Sequence, residues 1–366
     1  MTGNDMIRMV SEAPLYRRVH QKADFARPTF IVCDLDEMEK ASKWFKAAAG
    51  RKSEFIGGLQ AQRNLTVIGN VDVDRLRERP DLAVVAFGRQ VRRKCIALAL
   101  NGFRNVLFRE DQKYRGGRTQ YDYLEKNKAA LSELFGLLAD DESRRTLGSV
   151  IRHRISGDHG YLRMAEYPEY SHPQVRAREG YGVIDAGAYD GRTSLDFARR
   201  VGAGGKVYAF EPDKSNVKRI EKVIAEELTP EHGQIEIVEA ALTDKEGFVR
   251  LKASGSGSSN IDDDGDAIVR STSIDGFLAE DGSRRCDLIS LDVEGFEQAV
   301  LEGARDTLNN RRPMLQVSIY HAMEHLFEIP LALARMLPDY RFYLGHHNSY
   351  STETDLYAAP VERIAS

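Results

Sequence analysis

The sequence has few cysteines, no long apolar run and no marked excess of charge of either sign. Its three cysteines, Cys33, Cys95 and Cys286, lie far apart without a Cys-x-x-Cys pair, which argues against a disulfide framework or a zinc module. We expect them to be buried free thiols. No segment approaches the roughly 18 apolar residues of a membrane helix, and the N-terminus lacks the apolar core of a signal peptide. The expected location is the reducing cytoplasm, with no membrane partner.

The charge balance excludes a class of partners. The chain carries 52 Lys and Arg against 56 Asp and Glu, a formal charge of −4, which supplies no bulk electrostatic attraction for nucleic acid. We therefore expect a small-molecule or protein partner and no nucleic acid, and a homo-oligomer stays open. A length of 366 residues, 42% of them hydrophobic, provides for two domains with two cores.

The first half of the chain alternates strand-like and helix-like segments, which predicts an α/β domain. We assign residues 1–28 to an N-terminal extension, 29–110 to a small Rossmann-like domain and 111–180 to a helical connector with an apolar stripe at Leu131, Leu134, Phe135 and Leu138. The segment FIVCDLDEMEK offers acids after the opening strand, where a phosphate-binding loop would have glycines. Nucleotide binding is not expected there. Support of the second domain, acceptor recognition and dimerisation stay open as roles.

Residues 181–366 contain a second α/β run. Seven strands are predicted, at 181–187, 206–211, 235–240, 286–292, 314–320, 340–345 and 354–359, with helices at 193–201, 214–225 and 296–308. Only HHNSYSTE separates the last two strands, so a mostly parallel seven-stranded sheet ending in an antiparallel hairpin is expected. The low-complexity segment 253–266 is interpreted as a flexible loop that could act as a lid. Asn260–Gly265 is similar to the start of a calcium-binding loop, but Ser271 stands where the glutamate ligand of such a loop belongs.

The strongest local motif is VIDAGAYDGRTS, residues 183–194, which runs from a strand through two glycines into a helix. The spacing Asp185-x-Gly187-x-x-x-Gly191 indicates a tight turn with bare backbone, which a ligand can approach closely. It differs from the G-x-G-x-x-G loop that binds pyrophosphate, because an acid replaces the first glycine. Asp185 would repel phosphate and suits a cationic ligand such as the sulfonium of S-adenosylmethionine. A tight turn with a solvated Asp185 is the alternative.

Acids also end two other strands of this run. Glu211 follows the second strand in AFEPD, and its two carboxylate oxygens can accept both hydroxyls of a ribose. Asp292 and Glu294 follow the fourth strand, whose carboxyl end should face the same crevice. Glu297 is interpreted instead as a first-turn acid favoured by the helix dipole.

Together, VIDAGAYDGRTS, AFEPD, EAALTDKEG, CDLISLDVEGFEQAVLEGARDTL and PMLQVSIYH resemble the FkbM-type family of S-adenosylmethionine-dependent methyltransferases, which methylate hydroxyl groups of sugars and natural products. The resemblance spans about residues 181–359. Its most specific element is Asp-Val-Glu-Gly-x-Glu at Asp292–Glu297. One departure concerns the fifth strand, where many members have a Glu after the proline, whereas this chain has Ser318, Tyr320 and His321 after Pro313.

The resemblance implies a Rossmann-like class I methyltransferase fold that binds S-adenosylmethionine, releases S-adenosylhomocysteine and methylates a small-molecule or glycan acceptor. It implies cofactor contacts at Asp185, Gly187, Ala188, Tyr189, Gly191, Glu211, Pro212, Ala240, Ala241 and Asp292. Glu294 and Tyr320 are expected to contact the acceptor, and His346, in the last hairpin, to line its pocket.

Methylation of an alcohol needs a base, and His321 is the first candidate and Asp292 the second. A structural His321 is the alternative. His321–His325 also matches the H-x-x-E-H pattern of inverted zinc peptidases, but the methyltransferase frame already accounts for His321 and Glu324. We assign no metal residues, although Asp292 with Glu294 could hold magnesium. A non-catalytic binding protein and, less favoured without G-x-G-x-x-G, a nucleotide-dependent oxidoreductase remain alternative functions.

Overall fold

The computed structural model describes residues 120–156, 161–253, 259–261, 265, 267–348 and 351–364, the strand segments 16–18, 29–32, 54–55, 59–61, 65–67, 83–87 and 106–109, and helical positions 39, 43 and 46. The chain divides into two units. One comprises Met1–Phe135, Leu147–Arg163 and Ser349–Ser351, and the other comprises Gly136–Thr146, Met164–Asn348 and Thr352–Ser366. Among the described residues, no helix has both the length and the apolar character needed to cross a membrane.

The first unit contains a parallel five-stranded sheet with the order β1-β7-β6-β2-β3. Its strands are β1 Tyr16–Arg18, β2 Thr29–Val32, β3 Glu54–Phe55, β6 Ala83–Phe87 and β7 Val106–Arg109; β4 Leu59–Ala61 and β5 Leu65–Val67 form a separate antiparallel pair. Val84, Val85 and Ala86 are buried, as expected for a parallel strand that is covered on both faces.

Cys33 and Cys95 fall outside the described residues, as do the helix-like segments of 29–110 apart from helical positions 39, 43 and 46. β1 lies inside the segment that the sequence assigns to an extension, so that segment contributes to the sheet. The domain boundaries themselves stay a prediction. Three helices follow, α1 Gln120–Lys126, α2 Lys128–Leu137 and α3 Asp141–Ser156, and the predicted apolar stripe is buried.

The second unit contains a seven-stranded sheet with the order β10-β9-β8-β15-β16-β18-β17. Its strands are β8 Gly182–Ala186, β9 Lys206–Phe210, β10 Gln234–Val238, β15 Leu288–Leu291, β16 Met314–Ser318, β17 Tyr340–His346 and β18 Thr354–Pro360. The first five are parallel, and β18 runs antiparallel to both β16 and β17. The predicted class I methyltransferase sheet with a terminal hairpin is confirmed. The carboxyl ends of β8, β9, β15 and β16 meet at one edge.

Six α-helices lie among the described residues from 192 to 336: α4 Arg192–Val201, α5 Lys214–Glu227, α6 Ile274–Glu280, α7 Glu297–Glu302, α8 Arg305–Asn310 and α9 His325–Met336. The residue before α5 and the residue before α6 cap these helices. Asp213 accepts a hydrogen bond from Ser215 N, and Ser273 accepts one from Gly276 N. Cys286 is a buried free thiol, as predicted, and burial raises its pKa to about 12.

The prediction of one helix over 296–308 is wrong, since α7 ends at Glu302 and α8 begins at Arg305. Gly303 lies at the break. A Cβ there would lie 2.3 Å from the Thr243 carbonyl oxygen, so the chain passes too close to a neighbouring backbone for any other residue. Asp275 then caps α8 by accepting hydrogen bonds from the backbone of Asp306 and Thr307.

The segment between the third and fourth strands of the large sheet also differs from the prediction. β11 Ala241–Leu242, β12 Gly247–Ala253, β13 Ser259–Ile261 and β14 Ala267–Thr272 form a four-stranded sheet, and β13 occupies part of the predicted flexible loop. Apart from Gly265, which is buried, the remainder of that loop, with the lid and most of the calcium-like sequence, lies outside the described residues.

Candidate active site

The glycine loop after β8 is held against two neighbouring strands. Gly187 and Gly191 have positive φ angles of 88° and 82°, which favour glycine. A Cβ at Gly187 would lie 1.9 Å from the Asp292 carbonyl oxygen, so the Asp292 backbone occupies the space that a side chain at position 187 would need. The N–H groups of Gly187 and Ala188 both donate to the Phe210 carbonyl, each at 3.1 Å. The predicted bare turn is therefore present and rigidly anchored.

Two predicted acids lie at adjacent strand ends beside this loop. Asp185 is 3% exposed and accepts a 2.5 Å hydrogen bond from Ser194 Oγ. Burial raises the pKa of Asp185 to about 7, with the negative charges of Asp292 and Glu211 adding to the shift and Ser194 opposing it. Asp185 is thus buried, and the solvated Asp185 of the alternative interpretation is absent.

The Glu211 carboxylate is fixed by backbone donors. Tyr189 N donates to Oε2 and Asp213 N to Oε1, each at 2.9 Å. Burial raises the pKa of Glu211, and these hydrogen bonds oppose that shift. Asn216 Nδ2 adds a longer hydrogen bond to Oε1 at 3.4 Å. Because a carboxylate offers about four acceptor positions, a position on Oε2 remains for a ligand hydroxyl. Glu211 is therefore oriented in advance at the strand end.

The remaining predicted cofactor contacts line the same strand edge. The Tyr189 side chain is 42% exposed, and its backbone has a φ of 50°. Pro212 is half-buried directly after Glu211, and Ala240 and Ala241 are buried after β10. These positions surround the crevice above β8, β9 and β10.

Asp292 lies at the end of β15 and is held by side chains from distant segments. Tyr170 Oη donates to its Oδ2 at 3.2 Å, and Tyr320 Oη lies 3.4 Å from both carboxylate oxygens. Burial raises the pKa of Asp292 to about 6, while His321, with Nε2 at 3.4 Å from Oδ1, opposes the shift. The nearby acids Glu353, Glu297 and Glu294 reinforce it.

His321 stands among three carboxylates. Its Nδ1 lies 2.9 Å from Glu297 Oε1, and its Nε2 lies 3.6 Å from Glu294 Oε2 and close to Asp292. Burial alone would lower the pKa of His321, but the hydrogen bond to Glu297 and the negative charges outweigh burial and raise it to about 9. The same pairing outweighs burial at Glu297 and lowers the pKa of that carboxyl to about 2. His321 is therefore an imidazolium at neutral pH.

This arrangement accounts for the H-x-x-E-H sequence without zinc. α9 begins at His325, so His321 lies before the helix, and the two histidines do not form a two-ligand helix face. Both direct Nδ1 at Glu297 instead, and His325 Nδ1 lies 3.1 Å from Oε2.

Donor atoms of Asp292, Glu297 and His321 come within 4.8 Å of one another, a spacing that could also accommodate a cation. Glu297 Oε1, however, already accepts hydrogen bonds from Val293 N and Gly295 N in addition to its His321 contact. The imidazolium faces both Asp292 and Glu294, so the protein itself supplies the balancing charge at this pair of carboxylates. We therefore assign no metal to the site.

Three further acids near Asp292 were missed from the sequence. Together with Asp292 they form a group that we call the acidic cluster: Glu169, Asp292, Glu353 and Asp355. Asp355 is fully buried and accepts a 3.1 Å hydrogen bond from Ser318 Oγ. Burial and a hydrogen bond with Glu353 raise the pKa of Glu169 to about 10. Glu169 and Tyr170 come from the turn-prone segment YPEYSHPQ, and no local motif marks them as site residues.

The predicted acceptor contacts differ in their placement. Tyr320 reaches Asp292, and Glu294, with a φ of 53°, reaches His321. His346 is fully buried, and its Nδ1 lies 2.8 Å from Thr354 Oγ1 across the β17–β18 pair. The structure thus brings Tyr320 and Glu294 to the site and places His346 inside the terminal hairpin.

Comparisons with known proteins agree with this architecture. The family described as Methyltransferase FkbM domain matches residues 185–348. The crystal structure of Methyltransferase FkbM from Methylobacillus flagellatus KT is similar with a TM-score of 0.63 and 18% identity, covering 97% of this chain and 98% of that chain. This likeness shows the fold.

Other solved methyltransferase structures resemble about half of the chain, with lower TM-scores. Aeropyrum pernix fibrillarin, solved with S-adenosyl-L-methionine, has a TM-score of 0.31 and 12% identity over 52% of this chain and 70% of its own. An rRNA methylase from Streptococcus thermophilus has a TM-score of 0.32 and 13% identity over 51% and 88%. A comparison with curated proteins gives no match. Residues 185–348, with the sheet order and glycine loop described above, thus form an FkbM methyltransferase domain.

Proposed function

We propose that this protein is an S-adenosylmethionine-dependent O-methyltransferase that methylates a hydroxyl group of a sugar, glycan or natural product. One observation carries the proposal. The glycine loop with Asp185 and Glu211 meets a half-buried, tyrosine-bound Asp292 at the same edge of the sheet. This edge therefore offers acids for a cationic cofactor beside a group that can accept a proton.

The residues present fit this cofactor. The absence of a Cβ at Gly187 leaves the backbone bare, and the surrounding carboxylates favour a sulfonium over a phosphate. Asp185, Gly187, Ala188 and Gly191 would hold the methionine part. Glu211 would accept the ribose hydroxyls, and Ala240 with Ala241 would flank the adenine. When bound, S-adenosylmethionine supplies the electrophilic methyl group.

Asp292 is the better of the two predicted bases. With a pKa of about 6 it is ionised at neutral pH and can take the proton of an approaching hydroxyl. His321, with a pKa of about 9, is already protonated and cannot accept that proton. Its charge instead stabilises the Asp292 carboxylate. Holding the acceptor in line with the methyl group supplies the rest of the rate through proximity.

The acidic cluster supports a hydroxyl-bearing acceptor. Carboxylates accept hydrogen bonds from hydroxyls, and the protonated carboxyl of Glu169 can also donate one. Such a mixed surface suits a polyhydroxy compound. The same negative charge would repel a phosphate backbone, which supports the proposal of a small-molecule or glycan acceptor rather than a nucleic acid.

Calorimetric titration of the purified chain with S-adenosylhomocysteine, S-adenosylmethionine and NAD tests the cofactor. We expect both S-adenosyl compounds to bind and NAD to leave no signal. Methyl transfer from radiolabelled cofactor to a panel of sugars and polyols tests the reaction. Binding of NAD alone would indicate an oxidoreductase, and cofactor binding without transfer to any hydroxyl compound would indicate a non-catalytic protein.

A further inference from the structure

Glu297 is more than a first-turn acid. An acid favoured only by the helix dipole can remain at the surface. Glu297 instead has an exposure of 0% in α7, although burying a carboxylate is costly unless hydrogen bonds and opposite charge compensate. The partners that compensate it therefore indicate its role.

One set of partners lies in the turn after Asp292. The N–H groups of Val293 and Gly295 donate to Glu297 Oε1 at 3.1 and 3.2 Å. Between them Glu294 adopts a φ of 53°, an unusual value for a residue with a side chain. Glu297 thus holds the turn that connects Asp292 to α7.

The other partner is the His321 ring. Glu297 Oε1 lies 2.9 Å from Nδ1, so Nδ1 carries a proton and the ring is oriented by this contact. The opposite nitrogen, Nε2, then faces Asp292 Oδ1 at 3.4 Å and Glu294 Oε2 at 3.6 Å.

We propose that Glu297 is a positioning residue that fixes the His321 ring with Nε2–H facing the Asp292 and Glu294 carboxylates, and thereby orients the Asp292 base. The effect on turnover rests on the proposed function; the effect on the ring does not. His325 in α9 shares the same carboxylate, with Nδ1 3.1 Å from Oε2.

The charged surroundings define the direction of the effect. His321 is faced by Asp292, Glu294 and Glu297 from the β15–α7 turn and by Asp355 from β18, while Tyr320 packs beside it and His325 approaches Glu297 from α9. Removing the Glu297 charge takes away the nearest acid and leaves the others in place. The His321 pKa should therefore fall. The pKa of Asp292 should not rise, because Glu297 is one of the acids that raise it and His321 stays protonated near pH 6.

The experiment compares the full chain with its Glu297→Gln variant, which keeps the size of the side chain and its acceptor oxygen. Nitrogen-15 NMR of the imidazoles, assigned with a His321→Asn variant, reports the titration of His321. We expect wild-type His321 to be doubly protonated at pH 8, and the variant to titrate at least about one unit lower. Glu302→Gln, an exposed acid at the other end of α7, is the matched control and should leave His321 unchanged.

Two kinetic and binding readouts separate positioning from general damage. In Glu297→Gln kcat should fall because the His321 ring no longer orients Asp292, and the acid limb of kcat/KM should not move to higher pH, since Glu297 raises the Asp292 pKa. The affinity for S-adenosylhomocysteine should stay within about threefold. A wild-type His321 with an unprotonated Nδ1 would overturn the proposal without any variant being needed. A folded Glu297→Gln with an unchanged His321 titration would overturn it as well. Failure of the wild-type protein to bind S-adenosylhomocysteine would instead count against the proposed function.

Discussion

The two sides of the site hold their carboxylates in different ways. On the glycine-loop side, formed by Asp185, Gly187 and Glu211, the partners are backbone N–H groups and Ser194, all near in sequence. On the Asp292 side, the partners are side chains from distant segments, and Tyr170 lies 122 positions from Asp292. The first side is a local motif, and the second exists only in the folded chain. Under the proposed function, the first side would bind the cofactor, and the second would control proton transfer and the choice of acceptor.

Gly187→Ala should abolish cofactor binding on the glycine-loop side. The new Cβ would overlap the Asp292 carbonyl oxygen, and the φ of 88° disfavours any side chain. We expect loss of detectable S-adenosylhomocysteine binding in calorimetry and a lowered melting temperature. Gly282→Ala, a position with open space around it, is the control and should preserve both. An alanine variant with wild-type affinity would show that the close approach is not required.

Asp292→Asn should separate the two sides. The amide keeps the shape but cannot act as a base, so turnover should fall by about 10²- to 10⁴-fold. Cofactor affinity should change little, because the backbone at this position is retained. Initial rates of methyl transfer and calorimetry on the same sample measure the two effects. Turnover close to wild type would show that Asp292 is not the base and would favour His321 in that role.

Glu211→Gln should show the opposite pattern. Loss of charge-assisted hydrogen bonds to the ribose, worth about 1.5–3 kcal/mol, predicts a roughly 10- to 100-fold weaker Kd for S-adenosylhomocysteine. The kcat at saturating cofactor should stay near wild type. Glu221→Gln, an exposed acid on α5, serves as the control. A fall in kcat without a change in Kd would contradict the division between the two sides.

This division also explains what the sequence could and could not predict. The seven-stranded sheet, the glycine turn and Glu211 depend on short-range patterns, so sequence reading identifies them. The approach of Gly303 to Thr243, at the break in the predicted helix, depends on another segment and leaves no local signal.

The Asp292 side follows the same logic. Glu169 and Tyr170 lie in a turn-prone stretch, and their role appears only when the chain returns beside β16 and β18. His321 lies beside Asp292 in the structure, but its protonation depends on Glu297, which the sequence assigns to a helix end. Motifs thus predict positions well, whereas charge states require the complete set of neighbours.

Tyr320→Phe should produce the smallest effect, and it tests the Asp292 side without altering the glycine-loop side. The hydroxyl stabilises the charged form of Asp292 from 3.4 Å, so its removal should raise the pKa of that carboxyl above about 6. Because Asp292 must be ionised to act, the acid limb of kcat/KM should move up by roughly half to one pH unit, with a two- to tenfold lower rate near pH 6.

Tyr170→Phe should shift the same limb further, since Tyr170 Oη is closer, at 3.2 Å. Tyr181→Phe, at a partly exposed position ahead of β8, should leave the pH profile unchanged. If neither tyrosine variant shifts the acid limb of kcat/KM, the ionisation that controls the rate belongs to a group other than Asp292. Because both tyrosines contact the carboxylate and neither belongs to the glycine loop, their variants should leave the Kd for S-adenosylhomocysteine unchanged. A pH shift without an affinity change would therefore assign proton transfer to the distant segments alone.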